Sequence, residues 1–130
     1  MWATLTETLV GALQADLPGV EVTRFADAQI PDDDTVRVLR GGSQDRPLFA
    51  QQSGHENLIL ECWTRHEDPA LANQQLQSLE NQVIAALRHL PRVDPIVNLS
   101  ISGIDPDGDL FRPNLGSRIR LTIHWRVLRS

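Results

Sequence analysis

Leu58-Ile59-Leu60-Glu61-Cys62-Trp63, followed a few residues on by Asp68-Pro69, decides the reading of this chain. Leu58, Leu60 and Cys62 fall on alternate positions, the period of a half-buried strand. Asp68 suits an N-cap, because its carboxylate accepts a backbone N–H that the first helical turn leaves orphaned. Pro69 suits the first helical position, where the N–H it lacks would have had no intrahelical partner. Leu76, Leu79, Val83, Leu87 and Leu90 then recur at spacings of three and four, and the pattern stops near Pro91. A strand therefore runs into a long amphipathic helix.

Beyond that helix Val97, Leu99 and Ile101 alternate, and Ile119, Leu121, Ile123, Trp125 and Val127 form a final strand. At strand rise Ser117 to Leu128 would extend roughly 40 Å, which predicts a strand that projects past its own sheet. Toward the N-terminus, Thr4 with Glu7 three residues on reads as a capping box. Leu5, Leu9, Ala12, Leu13 and Leu17 make one stripe, with Trp2 packed against it and Pro18-Gly19 ending the helix. Val20 to Phe25 and Thr35 to Arg40 alternate as two further strands. The order predicts an α+β fold: a two-layer sandwich, with a mostly antiparallel sheet of four to five strands packed by two helices, forming one domain over residues 1–130.

A chain of 130 residues can bury roughly two thirds of its unfolded surface in one core, so no staple is required. The single cysteine, Cys62, has no partner for an intramolecular disulfide and reads as a buried thiol. No apolar run reaches the length of a membrane-spanning helix, and the N-terminus lacks the order of a secretion signal. The expectation is a soluble intracellular protein without a membrane partner. A formal charge of −5 argues against general affinity for nucleic acid. All twelve basic residues are arginine, which suits charged surface buried between copies, although a GC-rich genome has the same effect.

Motifs for catalysis are missing from the sequence. There is no Gly-x-Ser-x-Gly elbow, no phosphate loop and no His-Glu-x-x-His. His55, His66, His89 and His124 are scattered at spacings that define no metal cluster. His66, at a strand-to-helix turn, reads as structural in preference to a base. Asp32-Asp33-Asp34 reads as a solvated loop, because adjacent carboxylates stay ionised most easily in water. Asp105-Pro106-Asp107-Gly108-Asp109 has alternating oxygen donors like a calcium loop, but position 116, where a glutamate would be needed, is Gly116. A hairpin loop is favoured there, and no catalytic residue, metal or cofactor is assigned.

Three surfaces remain. Gly41 to Glu56 is polar, with Leu48-Phe49 its only apolar pair, and such a long loop in a compact domain is usually functional or disordered. The helix after Pro69 carries mainly uncharged polar residues outward: Asn73, Gln74, Gln75, Gln77, Asn81 and Gln82. A hydrated surface explains that face, and a hydrogen-bonding subunit contact is the alternative. The last strand sets Arg118, Arg120, Thr122, His124 and Arg126 opposite its apolar side. A salt-bridged or solvated face ranks first there, then a subunit interface, then nucleic-acid contact. The candidate interface residues are Arg40, Asp45, Arg46 and Phe49 in and beside the polar loop, with Arg118, Arg120 and Arg126 on the strand.

The N-terminal helix, the stretch Ile59-Leu60-Glu61-Cys62-Trp63-Thr64-Arg65-His66-Glu67-Asp68-Pro69 running into a long helix, and two final strands around an acidic loop resemble the tail terminator proteins of long-tailed bacteriophages. The similarity spans most of the chain and rests on element order and hydrophobic pattern, with no diagnostic motif. It implies a structural protein of the virion tail or neck, assembled in the host cytoplasm. Such proteins form a homo-oligomeric ring, expected as a hexamer, that caps the tail tube protein, ends tube polymerisation and presents a surface to the head-tail connector protein. The genome would pass through the ring without sequence-specific recognition. Two alternatives stand beside it: a head-completion or neck connector, and a nucleic-acid-associated adaptor using Arg118, Arg120 and Arg126. A divalent-dependent enzyme built on Asp105, Asp107 and Asp109 is the third class.

Overall fold

The computed structural model describes residues 2–24, 31, 33–43, 53–90, 93–106 and 113–127. The first helix, α1 (Trp2–Asp16), buries Leu5, Leu9, Leu13 and, just past its end, Leu17. It starts at Trp2, so Thr4 lies inside the helix and the expected Thr4–Glu7 capping box does not form. At this end Trp2 packs on the core, and the Arg40 guanidinium lies 5.6 Å from its ring centroid. Gly19 leaves the helix with φ of 82°, a conformation side chains with a Cβ rarely adopt, and turns the chain into β1 (Glu21–Thr23).

β1 pairs in parallel with β2 (Thr35–Ser43), which pairs antiparallel with β3 (Ser53–Arg65). Asp68 then caps α2 (Pro69–Leu87) as expected, its carboxylate accepting the Ala70 N–H at 2.9 Å. The helix carries the chain to β4 (Ile96–Pro106), and the hairpin into β5 (Asn114–Arg126) sets β5 between β3 and β4. The sheet order is β1-β2-β3-β5-β4. The fold is α+β; among the described residues it has five strands, all antiparallel neighbours except β1 and β2, and two helices on one face.

Three expectations need correction. The polar stretch from Gly41 to Glu56 is not loop at its two ends, because β2 continues to Ser43 and β3 begins at Ser53, while residues 44–52 lie outside the described residues. Polar residues extend the strands there because β5 pairs with β3 as far as Ser53↔Arg126. β5 does not project: it is flanked by β3 along its length and by β4 from Ile96↔Trp125 to Pro106↔Ser117. The alternation of Val97, Leu99 and Ile101 also fails as a guide to burial. The register shift between Ile96 and Asn98 puts Ile96 in place of Val97 on the buried helix side, whereas Ile101 keeps the helix-side phase and is exposed all the same.

The core lies between the helices and the sheet. Val36, Val38, Leu58, Leu60, Cys62, Ile119, Leu121 and Ile123 meet Leu76, Leu79, Val83 and Leu87 of α2 and the leucines of α1. Each fully buried leucine contributes about 2 kcal/mol by removal from water. Cys62 is fully buried, and burial, with Glu80 and Glu61 nearby, pushes its thiol up to about 12.

Candidate functional site

The sheet face turned away from the helices is organised by register. Arg37, Glu61, Arg118 and Asp105 are successive partners across β2, β3, β5 and β4. Glu61 is the centre of this row. Its Oε1 lies 3.8 Å from Arg37 Nη1 and accepts from Trp63 Nε1 at 3.4 Å, and its Oε2 accepts from Arg118 Nε at 3.3 Å. Glu61 and Arg37 have side chains only 10% and 9% exposed, so both charges rely on protein partners in place of water. Arg120 closes a second pair with Asp105 at 2.8 Å, with both side chains more than half exposed, a pair worth less than about 1 kcal/mol. Gly103 makes room for it, since a Cβ there would meet Arg120 Nη2 at 2.6 Å.

The edge of the sheet differs in character. α2 packs mainly on β3 and β5, and α1 on α2 and β1, so β4 joins the core only at its Ile96–Leu99 end. Ile101 and Ile104 are register partners of the buried Leu121 and Ile119, on the helix side of the sheet, yet they are 37% and 40% exposed. Val97 is 47% exposed. Among the described residues no strand pairs with the outer side of β4. An uncovered apolar strip thus adjoins a row of open backbone groups, a combination that favours pairing with another chain.

The four candidate interface residues among the described ones divide between the two faces of the sheet. Arg118, Arg120 and Arg126 share the outer face, the first two in ion pairs. Arg126 is exposed. Arg40 is in register with Leu58 and Leu121 and so belongs to the helix side, where its guanidinium covers Trp2 and reaches Glu56 at 3.9 Å. Asp45, Arg46 and Phe49 lie outside the described residues, as do Asp107 and Asp109 of the acidic loop. Asp105 is committed to Arg120. His66 is used structurally, its Nδ1 accepting the Asp68 N–H at 2.9 Å. Asp34 is tied to the body instead of solvated, because Thr64 Oγ1 donates to its Oδ1 at 2.7 Å.

The uncharged face of α2 is exposed as expected, along a shallow trough of about 490 Å³ lined by Gln74, Gln77, Ser78, Asn81, Gln82 and Ala85. Part of its hydrogen-bonding capacity is spent locally. Asn73 donates to the Pro69 carbonyl, Gln82 donates to Ser78, and the Gln75 amide lies 3.0 Å from Thr64 Oγ1. On the inner side of α2, burial raises the Glu80 carboxyl, and the nearby Ser117 hydroxyl draws it partly back without closing a hydrogen bond of its own. Among the described residues no group of three or more His, Cys, Asp or Glu side chains could hold a metal ion, and no helix is long and apolar enough to cross a membrane.

Sequence reasoning missed the Glu61 centre and the exposed side of β4. The first had a signal: an acidic residue inside an apolar strand needs a buried cation, and Arg37 and Arg118 occupy the polar phase of their own strands. The second had none, because bulges leave no mark in the hydrophobic pattern.

No family model matches the chain, and no curated protein does. Among solved structures, one chain that carries no functional description is similar over 99% of this chain and 95% of its own, at a TM-score of 0.53 and 11% identity. That likeness extends to the fold alone.

Proposed function

We propose that this chain is a structural virion protein of the tail-terminator type, which closes into a ring of six copies on the end of the tail tube, stops tube growth and offers the head connector a joining surface. The observation that carries this reading is the β4 edge, where Val97, Ile101 and Ile104 stand exposed beside backbone with which no described strand pairs. A ring needs a heterologous contact, one patch on each copy meeting a different patch on the next, with a rotation that closes. The sheet offers dissimilar surfaces for it. Its β4 side is long and apolar, its other edge is the three-residue β1, and its outer face is charged. The element order that resembles tail terminators supplies the remaining support.

Solution mass tests the proposal, measured on the chain alone and with purified tube protein. A ring is expected at high concentration or on the tube, and Ile101→Lys with Ile104→Lys should abolish it while leaving the monomer folded, because both side chains already face water. A protein that stays monomeric under both conditions, or a ring indifferent to the two lysines, defeats the reading. Tails of normal length in particles that lack this subunit would assign it to the neck in place of the terminus.

A further inference from the structure

The direction of the backbone groups along β4 follows from those of its neighbour. The Arg126 N–H donates to the Pro95 carbonyl, and β5 keeps an unbroken register with β3, so His124 and Thr122 also turn their backbone groups toward β4. Their partners Asn98 and Ser100 face back, which leaves the N–H and C=O groups of Leu99 and Ile101 pointing out of the sheet. The Leu99 N–H accordingly goes to the Asn98 side-chain oxygen at 2.9 Å. Two bulges interrupt this edge, and the stretch between them, residues 98–101, is regular. From Val97 to Pro106 every residue is exposed except Leu99 and Gly103, which are half-buried. The one ionised side chain among them, Asp105, is paired with Arg120. Edge strands are ordinarily guarded by lysine, proline or an inward charge, and none of these stands between Ile96 and Ile104.

We propose that β4 pairs antiparallel with β4 of a second copy about a two-fold axis at Ser100, joining the two five-stranded sheets into one. An axis there sets Leu99 opposite Ile101 of the second copy and Ile101 opposite its Leu99. These are the residues whose backbone groups are open, so each pair exchanges both of its hydrogen bonds. Directly opposite residues share a face. Leu99 and Ile101 lie on the helix side, in register with Ile123 and Leu121, so the contact there is apolar. On the outer side Ser100 meets Ser100. No charge opposes its like, which matters for copies that each carry a formal charge of −5. The other edge, β1, offers a second copy only three residues to pair with, whereas β4 matches its own length. A symmetric pair and a heterologous ring contact cannot share this edge. The pair does not rest on the ring reading. Where that reading holds, the pair stores copies with their joining edge closed until the tube end draws them off.

Ser100→Cys tests the assignment, because only a two-fold contact brings a position against itself. The native thiol of Cys62 is buried and stays out of the reaction. Opposed Cα atoms about 4.5–5.5 Å apart lie within disulfide reach, so a mild oxidant should convert most of the Ser100→Cys protein into a covalent dimer. The exposed Ser78→Cys of α2 should stay monomeric under the same treatment. Sedimentation of the whole parent chain should show a monomer–dimer equilibrium, which Ile101→Lys shifts toward monomer about tenfold or more. The Ile101 amide should exchange more slowly as concentration rises while amides of β1 are indifferent to it, a readout that needs no variant to fold. A parent chain that is monomeric at every concentration, or a dimer that cross-links through Ser78→Cys in place of Ser100→Cys, would overturn the pair. A ring on tube protein with no Ser100→Cys cross-link in the free chain also overturns it and leaves the ring reading standing. A cross-linked pair in a chain that never gives a ring on tube protein supports the pair and defeats the ring reading alone.

Discussion

Gly116→Ala isolates a single steric contact. A Cβ built on Gly116 meets Cε3 and Cζ3 of the Trp63 indole at 2.8 Å, closer than carbon atoms approach without displacement. The backbone of Gly116 has no positive φ, so alanine is not strained for conformational reasons. Trp63 is 5% exposed and its Nε1 is bonded to Glu61, so the ring cannot retreat without disturbing the buried charge row. Overpacking of this kind costs about 1–3 kcal/mol. At an unfolding entropy of about 2.1 cal/mol/K per residue, 130 residues give about 0.27 kcal/mol/K, so the melting temperature should fall by about 4–11 °C. Gly11→Ala is the companion measurement. Gly11 sits inside α1, exposed, with nothing within 4 Å of an added methyl, and helix propensity alone should add up to about 1 kcal/mol. Calorimetry or circular dichroism reads both. A Gly116→Ala protein that melts at or above the parent temperature would refute the placement of Trp63 over β5.

Glu61→Gln removes the charge that Arg37 depends on in a site of little solvent, and the expected loss is about 3 kcal/mol, read as a shift in the urea midpoint at unchanged slope. Glu80 binds its proton more tightly when folded, so it adds stability in acid that is lost as the pH rises through the ordinary carboxylate range and the raised native value above it. Glu80→Gln should therefore gain on the parent as the pH climbs from about 4 to 7, and a constant difference across that range would contradict the buried-carboxyl account. Cys62, with its thiol pushed up to about 12, should resist a disulfide reagent in native protein at pH about 8 and react fully in urea. Rapid native labelling would place the thiol outside the core.

The helices and the five strands were legible because each shows its own period. Asp68-Pro69 predicted the start of α2 to the residue, since capping is a local matter, whereas its end, expected near Pro91, falls at Leu87. What escaped was decided between segments. α1 starts at Trp2, which meets Arg40 of β2, and not at Thr4. The phase of β4 depends on bulges against β5. The candidate site was legible only in part: the polar side of β5 was visible, its partners Glu61 and Asp105 were not, and Arg40 fell on the opposite face from Arg118 and Arg120. Pairing across strands sorts charges by register, and register is not written in any one segment.

The insertion of β5 between β3 and β4 has a consequence for the order in which the molecule is made. β3 and β4 leave the ribosome earlier; β3 then has β2 on one side only, and β4 has no proper neighbour until the later strand enters the gap. A nascent chain lacking those residues holds two open flanks and half a core, so a cooperative fold has to await them and the closing step joins parts distant in sequence.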